Sequence, residues 1–207
     1  MNENRIGPLA GVVFGVAALP LLHLSVVDFE SKTATDANFA THIADRYISI
    51  SIASGVGLLI VGVLVAHIFW LGNFLSVHFP FGAKVARGCA MITASAMTIG
   101  FGFSIITSYG AHEKFPDISI RTTAMIAENL ATSLLFGLAA FAGLIAMLGW
   151  RKKLPIWMAI VASLEVFITL ATTIGGIPAA AAIATIAWVL LNSIGMGLRE
   201  RKSAIVI

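Results

Sequence analysis

The sequence predicts an all-α fold: a polytopic transmembrane helix bundle of six spans, with the N-terminus and the C-terminus both on the cytoplasmic side. Three observations carry this. Of the 207 residues, 58% are hydrophobic and 11% charged, against about 25% charged in typical soluble domains. Six apolar stretches recur along the chain, each near the ~20 residues a helix needs to cross the hydrocarbon core. The 13 Lys and Arg divide unevenly between the connectors.

Span 1 covers about residues 8–27. Pro8 suits a helix start, where its missing N–H is not needed, and Pro20 predicts a kink inside the span. The apolar run from Gly7 to Val27 exceeds the roughly 7–15 residues of a signal-peptide core and ends in no small-residue cleavage site. It reads as a retained span. A polar segment from Asp28 to Asp45 follows. Near its end Phe39, Ile43 and Tyr47 fall at i, i+4 and i+8, which predicts an amphipathic outer lead-in over 36–47.

Span 2 covers about 48–71, and a basic connector with His78, Pro80, Lys84 and Arg87 leads to span 3 at about 88–108. A loop from Tyr109 to Ser119 precedes span 4, about 122–148, which is long enough to tilt or protrude. Trp150-Arg151-Lys152-Lys153 closes it, and Pro155 opens span 5, about 154–173. The uncharged turn Ile174-Gly175-Gly176-Ile177-Pro178 leads to span 6, about 179–198, and a basic tail. The whole chain, 1–207, is one transmembrane domain in this reading, with little length left for a soluble catalytic unit.

Basic residues set the orientation. Arg5, Lys84, Arg87, Arg151, Lys152, Lys153, Arg199, Arg201 and Lys202 fall on one side, against Lys32, Arg46, Lys114 and Arg121 on the other. The richer side is expected in the cytoplasm. Trp70, Trp150 and Trp157 lie near that interface and Tyr47 and Tyr109 near the opposite one, the depths that amphipathic rings prefer. Trp188 falls in mid-span and reads as a packing residue. The expected location is a bacterial plasma (inner) membrane, with multiple passes.

The net charge of +3 is accounted for by these short loops, so nucleic acid is not an expected partner; the lipid bilayer is. The lone Cys89 excludes an intrachain disulfide, a Cys-based metal cage and a paired redox motif. It reads as a packed, inert thiol. There is no H-E-x-x-H, Walker loop or G-x-S-x-G. No catalytic residue, cofactor or resident metal is expected, and the chain reads as a non-enzyme. His23 and His67 sit at opposite depths, so they do not suit a shared haem. His42 and His112 lie on the outer side with Asp45 and Glu113, the nearest approach to a metal-ligand set. Span 1 and span 4 do not match each other, which weakens a transporter built on an inverted repeat.

Small residues spaced four apart let helix backbones approach closely. Candidate packing positions are Gly11 and Gly15; Ser51 and Gly55; Ala90, Ala94, Thr98 and Gly102; and Ala139 and Gly143. Glu165 stands out because it lies near the middle of span 5, where a charge costs about 2.5–3.5 kcal/mol on insertion scales. It is a candidate proton, cation or ligand site. The plainer alternative is a Glu hydrogen-bonded to a neighbouring helix, with Thr98, Thr132, Ser133 or Asn192 at suitable depth. No Lys, Arg or second carboxylate shares that depth, which weakens the functional alternative. Glu128 and Asn129 enter span 4 from the outer side and suggest either the mouth of a cavity or an ion pair from Glu128 to Arg46 or Arg121.

The opening Arg5-Ile6-Gly7-Pro8-Leu9-Ala10-Gly11, the segment from Asp36-Ala37-Asn38 to Ala44-Asp45-Arg46, the start of span 5 at Lys153-Leu154-Pro155-Ile156-Trp157 and the basic tail together form a pattern. It resembles a bacterial group of six-span integral membrane proteins common in actinobacteria. The resemblance implies the bundle fold and brings no activity or site residue.

Three functions are compatible with these features. An accessory or scaffolding subunit of a larger membrane complex, with membrane-protein partners or as a homo-oligomer, suits the small size and the packing stripes. A small transporter or channel using Glu165 is the alternative. A membrane enzyme acting on lipid or quinone has least support.

Overall fold

The computed structural model describes the backbone of residues 3–25, 35–133, 135–175 and 178–205. Side chains are described at 6–18, 20–21, 35–127, 130, 137–172, 174–175 and 180–197. Among the described residues the chain forms eight helices: α1 (Glu3–Ser25), α2 (Asp36–Asp45), α3 (Tyr47–Ser76), α4 (Pro80–His112), α5 (Asp117–Ser133), α6 (Leu135–Trp150), α7 (Ile156–Ile174) and α8 (Pro178–Ile205). Among the described residues three segments, Tyr47–Ser76, Pro80–His112 and Ala180–Gly197, are long and apolar enough to cross a membrane. Ile6–Ala18, Gly137–Trp150 and Ile156–Thr172 are shorter apolar helices. Large apolar side chains point outward along them, including Leu59, Phe81, Ile92 and Phe167. A water-soluble monomer does not carry so much contiguous apolar surface; a bilayer solvates it. The chain is a helical membrane protein.

Local chemistry explains the helix ends. Thr35 caps α2, its hydroxyl accepting the Asn38 N–H at 3.4 Å, with Asp36 in the first turn. Phe39, Ala40 and Ile43 of α2 are buried against Ile50, Ala111, Ile120 and Ala124, so this helix lies across α4 and α5. The basic connector expected between spans 2 and 3 is helical for the most part. The chain turns through Val77 and His78, and α4 already starts at Pro80, a residue tolerated in a first turn. Arg87 therefore sits on α4 and is tied back to α3: its Nη2 donates to Asn73 Oδ1 at 2.7 Å and its guanidinium lies 5.3 Å from the Phe69 ring centre. At 33 residues, α4 is about 50 Å long at ~1.5 Å per residue, so its ends outrun a hydrocarbon core of about 30 Å.

Two turns share one device. The Phe115 N–H reaches Gly110 O at 2.8 Å and the Lys114 N–H reaches Ala111 O at 3.3 Å. After α6 the Lys153 and Lys152 N–H groups reach Leu148 O and Gly149 O, both at 2.9 Å. These are Schellman caps. Lys114 at φ 57° and Lys152 at φ 59° occupy the left-handed position that glycine usually fills.

The helices pack as a ring. α1 lies against α3, α3 against α4, α4 against α5 and α6, α6 against α7, α7 against α8, and α8 against α1. The core between them combines Leu64, Ile68, Leu71 and Leu75 of α3 with Ala83, Ala86, Ala90 and Ala94 of α4 and Phe141 and Ile145 of α6. Met158 and Ala162 of α7 and Trp188 and Val189 of α8 complete it. Ser51 and Ser108 share a hydrogen bond at 3.1 Å between α3 and α4, and Trp150 Nε1 donates to Ser163 Oγ at 3.1 Å between α6 and α7.

Backbones approach most closely at positions partly different from those expected. A Cβ on Gly11 would stand 1.9 Å from Ser193 Oγ, and one on Gly15 2.9 Å from Leu190 Cβ. Ala90 and Ala94 are buried, whereas Thr98 is exposed and Ala139 half-buried. A Cβ on Gly55, Gly102 or Gly143 would meet nothing within 4 Å among the described residues, which corrects their assignment to packing within the chain. Gly57, Gly137 and Gly149 take that role instead, against Phe101, Cys89 with Thr93, and Ala159.

Candidate functional site

Glu165 lies on the face of α7 that also carries Met158, Ala162 and Thr169, all buried. These positions recur at three- and four-residue intervals, so they form one stripe, and the stripe faces α6 and α8. Glu165 is 2% exposed. Its Oε1 accepts two hydrogen bonds, from Thr169 Oγ1 one turn along α7 and from Thr185 Oγ1 on α8, each at 3.0 Å. Its Oε2 has no partner among the described residues.

The α8 face below Thr185 continues the polar lining. Trp188, Asn192 and Ser193 are each buried. Asn192 Nδ2 donates to Trp188 O at 3.0 Å. Trp188 Nε1, Asn192 Oδ1 and Ser193 Oγ have no hydrogen-bond partner among the described residues.

Ser193 meets α1 and α3 where a side chain is missing. The Cβ position of Gly11 is 1.9 Å from Ser193 Oγ and 2.7 Å from His67 Nδ1, so glycine alone admits both groups. His67 is buried, and its Nδ1–H donates to Gly7 O at 3.0 Å; the carbonyl partner assigns the tautomer. The Trp70 ring lies 5.8 Å from that of His67. Pro8 Cβ stands 3.5 Å from the Cβ position of Gly197. The start of α1 and the end of α8 therefore meet at one end of the bundle.

The candidates from the sequence distribute as follows. Glu165 and Asn192 both belong to the α7–α8 region. Glu128 and Asn129 lie on α5, and their side chains are outside the described residues, as are those of Thr132 and Ser133. Thr98 does not serve Glu165: its hydroxyl donates to Ala94 O at 3.0 Å on its own helix. Arg121 pairs with Asp36 of α2 and lies 5.5 Å over the Phe39 ring. His112 stacks on Tyr47 with ring centres 4.6 Å apart. No group of three or more His, Cys, Asp or Glu comes together to hold a metal among the described residues.

The linear sequence does not point to Thr169, Thr185, Trp188, Ser193 or His67 as parts of the site. A signal exists only for Thr169, because i+4 from Glu165 is one turn. The others depend on which helices are neighbours.

No family model matches the chain, and no curated protein or solved structure is significantly similar to it.

Proposed function

We propose that the chain crosses a bacterial plasma membrane six times, with both termini cytoplasmic, and serves as a non-catalytic accessory or scaffolding subunit of a larger membrane complex. The crossings are α1, α3, α4, α5 with α6, α7 and α8. Support for the orientation comes from Arg151, Lys152 and Lys153, exposed in the turn after α6 and close in sequence to Trp157, whose ring lies against Gly195 near the Pro8–Gly197 contact.

The observation that carries the subunit reading is an outward surface of small residues. Gly55 and Gly62 on α3 are seven residues apart, and Gly88, Ser95 and Gly102 on α4 repeat the same interval. A Cβ on any of the four glycines would meet nothing within 4 Å among the described residues, and Ser95 is exposed. Glycine in a helix costs about 0.5–1 kcal/mol relative to Ala, and facing lipid it returns nothing. Against a partner helix it permits close backbone approach. Extraction in mild detergent followed by native pull-down and mass spectrometry tests this. A stoichiometric membrane-protein partner or a second copy is expected, and Gly62→Ile with Gly102→Ile should abolish its recovery. Isolation solely as a monodisperse, partner-free monomer overturns the reading.

A second reading, a small transporter or channel using Glu165, is favoured by one observation. The Glu165 Oε2 atom is buried in the bundle without a partner among the described residues. Glu165→Gln should then abolish transport in proteoliposomes while the protein still folds; unchanged transport removes that role.

A further inference from the structure

Glu165 Oε2, Trp188 Nε1, Asn192 Oδ1 and Ser193 Oγ are buried without partners among the described residues, and none of the four residues is more than 2% exposed. Each unpaired buried polar atom costs about 1–3 kcal/mol, and native proteins rarely leave such groups without a bonded partner or water.

Helix register strings these residues along one path. Thr185 meets Glu165 at 3.0 Å. Asn192 is seven residues beyond Thr185, two turns along the same face of α8. Ser193, next in sequence, faces Gly11, whose Cβ position also lies 2.7 Å from His67 Nδ1. The path leads from Glu165 toward the end of the bundle where Pro8 meets Gly197. Its chemistry is balanced: Trp188 Nε1–H and Ser193 Oγ–H donate, while Glu165 Oε2 and Asn192 Oδ1 accept. Water both donates and accepts, and buried waters make about three such bonds each.

Resting on the reading of Glu165 as an intramembrane site, we propose that it is a proton-exchanging site reached from the end of the bundle where Pro8 meets Gly197, through a file of bound water along the Trp188–Asn192–Ser193 face of α8. On uptake, a hydronium O–H bond breaks and an O–H bond forms on Glu165 Oε2, leaving a neutral water; release is the reverse. Thr169 and Thr185 occupy Oε1, so exchange takes place at Oε2. A divalent metal fits less well, since Ca²⁺ needs about 6–8 oxygen ligands and no group of three or more His, Cys, Asp or Glu gathers among the described residues. The helices packed against α7 are α6 and α8. Neither α6 nor residues 178–198 of α8 carries a titratable side chain. Water is the exchange partner, and among the described residues His67, which shares the Gly11 position with Ser193, is the first titratable group along the path.

The test uses the full chain in lipid nanodiscs and pH-difference infrared spectroscopy. A titrating carboxyl stretch that Glu165→Gln removes is expected. Transfer into heavy water should shift that band, and Trp188→Phe or Asn192→Leu should slow the shift by about tenfold or more, the effect of roughly 1.4 kcal/mol of added barrier. Ser193→Ala removes only a hydroxyl and serves if the larger changes do not yield monodisperse protein. No band removed by Glu165→Gln overturns the site itself. A band that exchanges at the wild-type rate in the α8 variants overturns the path and leaves the site standing.

Discussion

Thr185 Oγ1 of α8 donates to Glu165 Oε1 of α7 at 3.0 Å, and the bond lies in a fully buried contact between the two helices. The same oxygen accepts from Thr169. A carboxyl group set among apolar side chains is thus held from both helices, which fixes the rotation of α7 against α8.

Thr185→Val keeps the shape and removes that donor. Buried interhelical hydrogen bonds in membrane proteins average about 0.6 kcal/mol in double-mutant cycles, with a maximum near 1.7. The Thr185→Val and Glu165→Leu cycle should give a coupling within that range by reversible unfolding in mixed micelles. Additive single effects would show that the contact does not form in the membrane.

Gly11 and Gly102 should respond in opposite ways. A side chain at Gly11 collides with Ser193 and His67, whereas Gly102 faces open space. Gly11→Val should destabilise the α1–α8 contact by about 1–3 kcal/mol through overpacking. Gly102→Ala should be neutral or stabilise the isolated chain by up to about 1 kcal/mol through helix propensity. Thermal melts of the purified variants separate the two.

The outer helix α2 is held by Asp36–Arg121 and by burial of Phe39 and Ile43. The side chains of the ion pair are 39% and 25% exposed, so solvent screens it and its contribution is at most about 1 kcal/mol. Phe39 lies 4% exposed. Phe39→Ala should therefore cost about 3–5 kcal/mol of local stability and Asp36→Asn far less. Hydrogen exchange over 36–45 reads both, and a larger effect from Asp36→Asn would reverse this ranking.

Lys152 holds a left-handed backbone at the end of α6, a conformation that costs a non-glycine residue roughly 1–2 kcal/mol. Part of that returns as unfolded-state entropy when glycine is introduced. Lys152→Gly should raise stability by about 0.5–1 kcal/mol, seen as a higher melting temperature. A lower melting temperature would mean that the Lys152 side chain contributes contacts of its own.

Much of the site is illegible in a linear chain for one reason. In a soluble protein, polar residues mark the outer face of each helix. Here Leu59 and Ile92, which face outward, and Leu64 and Ile145, which face inward, are equally apolar. Spacing alone therefore does not say which glycines are gripped. Gly55 lies four residues after Ser51 and is open, while Gly57 is held against Phe101. Arg121 pairs with Asp36, 85 residues away in sequence, a contact that helical spacing does not encode.

What the sequence determined by itself is the class of the molecule, a helical membrane protein, because apolar stretches of that length dissolve only in a bilayer. It also singled out Glu165, since a carboxyl group amid a run of apolar residues is visible without any coordinates. Only the tertiary structure decided what that carboxyl touches. Thr185, Trp188, Asn192 and Ser193 come to it or its path through the packing of α7, α8 and α1, and that packing is set by side-chain shape across neighbouring helices, which no local pattern encodes.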